Sequence, residues 1–173
     1  MTTLLQSLEA LYTRELTTLR AELEAYPSEA DLWKTLPGMS NSGGNLALHL
    51  TGNLQHFIGA VLGKSGYVRN RDAEFGSRDV PRAELLKQVD QAIAAVSGTL
   101  RQLDAAKLEQ RFPDPIAKMR LATGDFLVHL ANHFSYHLGQ LDYHRRFVTG
   151  DAAGVGAVRP GELSSARPAG DAG

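Results

Sequence analysis

The stretch from Thr123 to Phe147, TGDFLVHLANHFSYHLGQLDYHRRF, constrains this chain more than any other. Its pattern predicts one long helix carrying His129, His133 and His137 at i, i+4 and i+8. At about 100° per residue the three side chains fall within an arc of about 80°, so they project from one side of successive turns. With His133 as the angular zero, Phe126, Leu127, Leu130, Phe134, Leu138 and Leu141 spread from about 20° to 140°. His137, at about 40°, lies inside that apolar stripe, His133 on its edge and His129 just outside it. Imidazoles on adjacent turns are about 6 Å apart along the axis, so two of them can reach one divalent ion at about 2.0 to 2.1 Å. His129 and His137, separated by about 12 Å of rise, cannot share one. A lone buried histidine is usually a core residue satisfied by an ordinary hydrogen bond, but a ladder of them on one face points to a metal site.

A second helix, from near Ser42 to about Leu62, supplies the complementary face with NLALHLTGNLQHFIGAVL. With His49 at zero, Leu46, Leu50, Leu54, Phe57 and Val61 occupy about 60° to 140°, Asn53 sits near 40° and His56 near -20°. His49 and His56 are about 10.5 Å apart along the axis, so at most one belongs to a site shared with the histidine ladder. Helix geometry does not choose between them. Gly52 and Gly59 lie with Asn45 on the other flank, where missing side chains admit a ligand or, at least as readily, a packed helix.

Two further helices complete the architecture. From about Thr2 to Tyr26, Leu4, Leu5, Leu8, Leu11, Leu16, Leu19 and Leu23 recur at helical spacing until Pro27. Residues 27–43 connect, with a run dense in turn residues from Gly38 to Gly44. Asp79 and Pro81 open a third helix to Leu103, whose Leu85, Leu86, Val89, Ile93, Val96 and Leu100 form a face for burial without a histidine. Asp104 to Arg120 holds a short helical turn and a break at Phe112-Pro113-Asp114-Pro115, and Thr123 is the expected cap of the His-bearing helix. Between the second and third helices, Lys64 to Val80 spans about 17 residues. That exceeds the usual two to eight of a tight bundle connection and predicts a long crossover. Its Arg69, Arg71, Asp72 and Glu74 either line a pocket mouth or, the preferred reading, pair with one another in a solvated loop. After Thr149 the chain is rich in Gly, Ala, Pro and Ser and has almost no large apolar group, the composition of a flexible tail. The expectation is an all-α four-helix bundle over residues 1–149 and a tail over 150–173.

Several functions are excluded by what the sequence lacks. Net charge is -1, and the basic runs Arg69-Asn70-Arg71 and Arg145-Arg146 are too short and too offset by acids to track nucleic-acid phosphates. Cysteine is absent, which rules out disulfides, thiolate zinc sites and a cysteine nucleophile, and fits a reducing, cytoplasmic compartment. Any thiol in the chemistry must come from outside. The N-terminus has no basic region before its apolar residues and no span approaches 18 apolar residues, so neither a secretion signal nor a membrane helix is expected. No Glu-x-x-His motif suggests a di-iron site.

Three blocks together carry a family resemblance: Asn45-Leu46-Ala47-Leu48-His49-Leu50-Thr51-Gly52-Asn53-Leu54, Arg69-Asn70-Arg71-Asp72-Ala73-Glu74-Phe75, and His133-Phe134-Ser135-Tyr136-His137-Leu138-Gly139-Gln140. Over residues 1 to about 149 the chain resembles the DinB-like superfamily of DinB/YfiT-type metalloenzymes, in its DUF1572-type branch. The resemblance implies a four-helix bundle with a long crossover between helices two and three, often a homodimer, and a divalent metal, typically zinc or nickel, on three histidines. Matched onto this sequence those ligands are His49, His133 and His137. Relatives include bacillithiol-using thiol S-transferases and a mycothiol-dependent maleylpyruvate isomerase.

Three neutral imidazoles leave the double positive charge of an ion in place and at least one coordination position open, the arrangement of a catalytic site. The leading expectation is a mononuclear metal enzyme that transfers a low-molecular-weight, bacillithiol-like thiol to an electrophilic small molecule in stress or detoxification. The alternatives are a metal-dependent hydrolase and a non-catalytic metal- or ligand-binding bundle. Asn53 and Gln140 are candidates to orient a ligand, His56, His129, Arg69 and Arg71 are candidates to support the site or line its pocket, and Tyr136 is expected to point outward.

Overall fold

The structure, a computed structural model, describes residues 3–170. Met1, Thr2 and residues 171–173, the extreme ends of the expected bundle and tail, lie outside the described residues. Four long helices form the body: α1 (Leu4–Glu24), α3 (Gly43–Leu54, continuing through a widened π-helical stretch, Gln55–Leu62), α5 (Arg82–Gln102) and α6 (Thr123–Thr149). Two short ones, α2 (Glu29–Trp33) and α4 (Arg71–Gly76), sit in the connections. Among the described residues no β-strand forms, only two isolated bridges. No described helix is long and apolar enough to cross a membrane.

Local chemistry accounts for the helix starts, and two of them differ from expectation. Thr3 and Gln6 form a reciprocal capping box at α1, and the Ser42 hydroxyl accepts from the Asn45 N–H at α3. Asp79 does not open α5: it takes φ 57, and the N-cap is Pro81, whose ring has no acceptor to offer the first turn and whose carbonyl accepts from Glu84 N and Leu85 N. Thr123 is the first residue of α6 and not its cap. Its hydroxyl instead donates to Gln110 O at 3.0 Å, tying α6 to the preceding segment.

Side-chain pairs fix the direction of every helix. Arg101 with Glu9, Thr13 with Ser97 and Arg20 with Asp90 run α5 antiparallel to α1. Tyr12 with Leu127 O and Arg145 with Glu22 run α6 parallel to α1. His49 beside His133, and Tyr26 and Gly43 beside His144, run α3 antiparallel to α6. Gly59 against Ala95 and Gly63 against Thr99 run α3 parallel to α5. Parallel neighbours cannot be joined by a tight turn, so the chain must travel back along the bundle between them, and residues 64–80 do so.

The predicted apolar faces meet in one core. Tyr12, Leu16, Leu19 and Leu23 of α1, Leu50 and Leu54 of α3, Val89 and Val96 of α5, and Phe126, Leu127, Phe134 and Leu141 of α6 are fully buried. Each large side chain contributes about 1.5–3 kcal/mol on burial, so the four stripes together drive assembly. Phe112, from the break before α6, fills the same core beside Phe126 and Phe57. Gly59 and Gly63 serve helix packing: a Cβ on Gly59 would come within 3.2 Å of the Ala95 methyl, and one on Gly63 would strike Thr99. Gly150, at φ 72, ends α6 in the left-handed conformation. Residues 151–170 hold one short 3₁₀ turn, Pro160–Glu162, and are held near the bundle where Arg145 Nη2 donates to Ala153 O at 2.7 Å.

Candidate metal centre

Antiparallel packing of α3 on α6 sets His49 against the two histidines one turn apart on α6. His49, His133 and His137 each offer a ring nitrogen, and the three lie within 4.8 Å of one another. His49 Nε2 is 3.4 Å from His133 Nε2. The rings meet nearly edge-on, at 74° for His49 and His133, 88° for His49 and His137 and 77° for His133 and His137. Two nitrogens bound tetrahedrally to an ion at about 2.0 to 2.1 Å stand about 3.3 to 3.4 Å apart, the separation His49 and His133 already have. The donor set thus fits a metal ion.

The protonation states fit as well. Burial, then the neighbouring His137 and His49, push the His133 pKa down to about 4, so its lone pair is available at neutral pH. His137 Nδ1 lies 2.7 Å from Gln140 Oε1, and an amide oxygen only accepts, so Nδ1 carries the proton and Nε2 is left open. The same logic applies to His49, whose Nδ1–H donates to Glu74 Oε2 at 2.9 Å.

Glu74 is the residue that reading the linker as solvated missed. It is 4% exposed, on α4, and Arg69 clamps it with Nε to Oε1 at 2.6 Å and Nη2 to Oε2 at 2.8 Å. Burial alone would raise its pKa, but the bonds from Arg69 and His49 outweigh burial and hold the carboxyl below its ordinary value. The segment is anchored on α3 by Asn45, whose Nδ2 donates to Glu74 O and Ser77 O. A signal for α4 stands in the sequence: Asn70, followed by Arg71-Asp72-Ala73-Glu74, is an N-cap with acids in the first turn, and its side chain accepts from Ala73 N. Gly52 gives the carboxylate its room, so the glycine flank of the second helix admits neither a ligand nor a helix at that point but this side chain.

The other candidate residues surround the cluster at different depths. Asn53, one turn after His49, is buried, and its Oδ1 has no hydrogen-bond partner among the described residues. His56 falls outside the triad. It lies about 10.5 Å beyond His49 along the axis, where the register that sets His49 beside His133 brings Phe57 against Phe126 and the His56 ring onto the edge of Phe57. Its pKa is lowered by burial, then by the Arg69 charge. His129 is exposed, stacked on Phe126 at 6.2 Å and 6.4 Å from His133, outside the triad as well. Arg71 is exposed and lies over Phe75, whose ring packs 4.9 Å from His49. Tyr136 points outward, 65% exposed. Across Gln140 lies a cavity of about 240 Å³ bounded by Gly38, Ser40, Asn41, Leu46, Tyr143 and His144. His133 and His137 are only half-buried, so the cluster is accessible from solvent while His49 anchors it to the core.

Fold and site together define a class: a helical bundle with a three-histidine site able to hold one divalent cation. The chain belongs to the DinB superfamily, whose family model matches residues 11–141, a span that contains all three histidines and Glu74. A comparison with curated proteins finds no match.

Proposed function

We propose that this chain is a mononuclear metal enzyme, with zinc or nickel on His49, His133 and His137, that transfers a low-molecular-weight, bacillithiol-like thiol to an electrophilic small molecule. The observation that carries the reading is the convergence of three imidazoles, two of them already at the separation of ligands on one ion. When bound, the ion would acidify a group in its open position, which is how a thiol is held as the attacking thiolate near neutral pH. Because the chain has no cysteine, that thiol is a co-substrate.

The chain's own residues do the rest. The unpartnered Asn53 Oδ1 is placed to accept from a donor on a ligand beside His49, since a buried acceptor left empty costs about 1–3 kcal/mol. The cavity behind Gln140 takes the non-reacting part of a substrate, with Ser40, Asn41 and the Tyr143 hydroxyl offering neutral polar groups. Detoxification in the cytoplasm is the role such chemistry serves. A homodimer is the expected assembly, and the exposed Tyr136, Tyr143 and Phe147 on α6 offer it an apolar face.

The test is elemental analysis of tag-free protein beside His137→Ala, followed by thiol consumption assays with a panel of thiols and electrophiles. About one zinc or nickel per chain in the wild type, lost in the variant, with metal-dependent thiol consumption, supports the reading. Metal-dependent ester or amide hydrolysis without thiol consumption points to the hydrolase. Metal without turnover points to a binding bundle.

A further inference from the structure

We infer that Arg69 and Glu74 form a charge-compensated positioning pair that sets how tightly the histidine cluster holds its metal, with Glu74 fixing the His49 tautomer and Arg69 restraining the carboxylate's charge. The inference rests on the metal reading above and adds to it two residues that contact no metal.

The pair is built as a unit. A carboxylate accepting from the far nitrogen of a ligating imidazole orients the ring and raises its basicity. Glu74 does the first: its Oε2 receives the His49 Nδ1–H, which leaves Nε2 facing His133. Its charge, however, is not available in full, because the Arg69 guanidinium grips both oxygens in a fork. That guanidinium is itself close, with Nη2 3.4 Å from His49 Nδ1. A cation so near a ligating ring opposes a dication on the ring's other side, unless a carboxylate lies between. Glu74 therefore has two duties, accepting the proton of His49 and neutralising Arg69. Arg69 is braced in turn by Phe57, whose ring centroid is 5.6 Å from its guanidinium carbon. The compensated pair holds His49 rigidly while leaving the ion most of its charge, which a site meant to acidify an exchangeable ligand requires.

This arrangement predicts effects of opposite sign from the two halves of one ion pair. Glu74→Gln keeps an acceptor for His49 but leaves the guanidinium uncompensated. Arg69→Met removes that cation and frees the carboxylate. The double variant has neither charge and keeps the acceptor.

The experiment is a competitive chelator titration of zinc against the wild type, Glu74→Gln, Arg69→Met and the double variant, with ¹⁵N NMR of the histidine rings in the metal-free proteins. Glu74→Gln should bind zinc about 10- to 100-fold more weakly, the range such outer partners usually show. Arg69→Met should bind at least as tightly as the wild type, and adding it to Glu74→Gln should restore affinity by about tenfold. Metal-free wild type should show His49 as the Nδ1–H tautomer, and Glu74→Ala should show both tautomers. Glu74→Gln within twofold of the wild type overturns the proposal, as do losses in both single variants that compound in the double. A wild type that takes up no zinc or nickel overturns the metal reading itself, while the His49 tautomer still reports whether Glu74 positions the ring.

Discussion

A Cβ on Gly52 would stand 2.5 Å from Glu74 Oε1 and 3.3 Å from the Tyr67 hydroxyl. The glycine is thus the floor on which the buried carboxylate rests. Arg69 and His49 hold Glu74 from two other sides, so it cannot swing away from an added methyl. Gly52→Ala should destabilise the metal-free protein by about 1–3 kcal/mol, the usual cost of overpacking. Gly98, inside the C-terminal part of α5 with nothing near its missing Cβ, is the control: Gly98→Ala should stabilise by about 0.5–1 kcal/mol. Denaturant unfolding of both variants checks the pair of signs.

Periodicity made the four long helices legible, because each presents an apolar stripe that has only one way to be buried. It also placed His133 and His137 on the inner edge of theirs. Choosing His49 over His56 took the family resemblance, since an ideal helix puts both on nearly the same face. The structure separates them by the register of α3 on α6, which sets His49 beside His133 and Phe57, the neighbour of His56, beside Phe126, a choice no apolar pattern announces. Glu74 was illegible for a different reason. Charged residues in a linker usually are solvated, and only the docking of α4 on α3 through Asn45 buries this one.

Five of the six histidines on the two site-bearing helices should therefore divide sharply on substitution. His49→Ala, His133→Ala and His137→Ala should each lose stoichiometric zinc or nickel, because each removes one of three converging nitrogens. His56→Ala and His129→Ala should retain about one ion per chain, with affinity changed less than tenfold, since one ring packs on Phe57 and the other on Phe126. Isothermal titration of the five variants reads this directly. Retention of metal by His49→Ala together with its loss in His56→Ala would reverse the assignment.

Away from the site, Arg145 Nε donates to Glu22 Oε2 at 2.6 Å with both residues about 1% exposed, joining α6 to α1. Nη2 of the same guanidinium reaches Asp142 at 3.3 Å and Ala153 O at 2.7 Å. Arg145→Ala would leave Glu22 buried next to Asp142 without its partner, and should cost about 3–5 kcal/mol. Replacing the pair by Arg145→Met with Glu22→Leu removes both charges at similar volume and should recover most of that loss. Chemical denaturation of the single and double variants measures the difference. Additive losses in the double variant would show that Arg145 and Glu22 are not coupled.

Acid should weaken the metal-free fold from the neutral side. Burial is the first cause that lowers the pKa values of His56, His133 and His144, His133 to about 4 from an ordinary 6.5. The unfolded chain therefore binds protons at these rings before the folded one does, and stability present above about pH 6.5 is lost as pH falls toward 4. At His144 the structural reason is explicit. Nε2–H donates to Lys34 O at 2.8 Å and Nδ1 accepts from the Tyr26 hydroxyl at 2.7 Å, so a second ring proton would displace that acceptor bond. Glu74, held below its ordinary value of 4.5, begins to contribute only lower down, while Glu22, raised by burial, takes up its proton first in the folded state and partly offsets the loss at the three histidines. The melting temperature of metal-free protein should fall from about pH 6.5 to 4.5. His133→Asn should flatten the slope, and saturating zinc should steepen it, because protons then compete with the ion for the same nitrogens. A melting temperature that stays level from pH 6.5 to 4.5 would show that these rings are not held neutral by the fold.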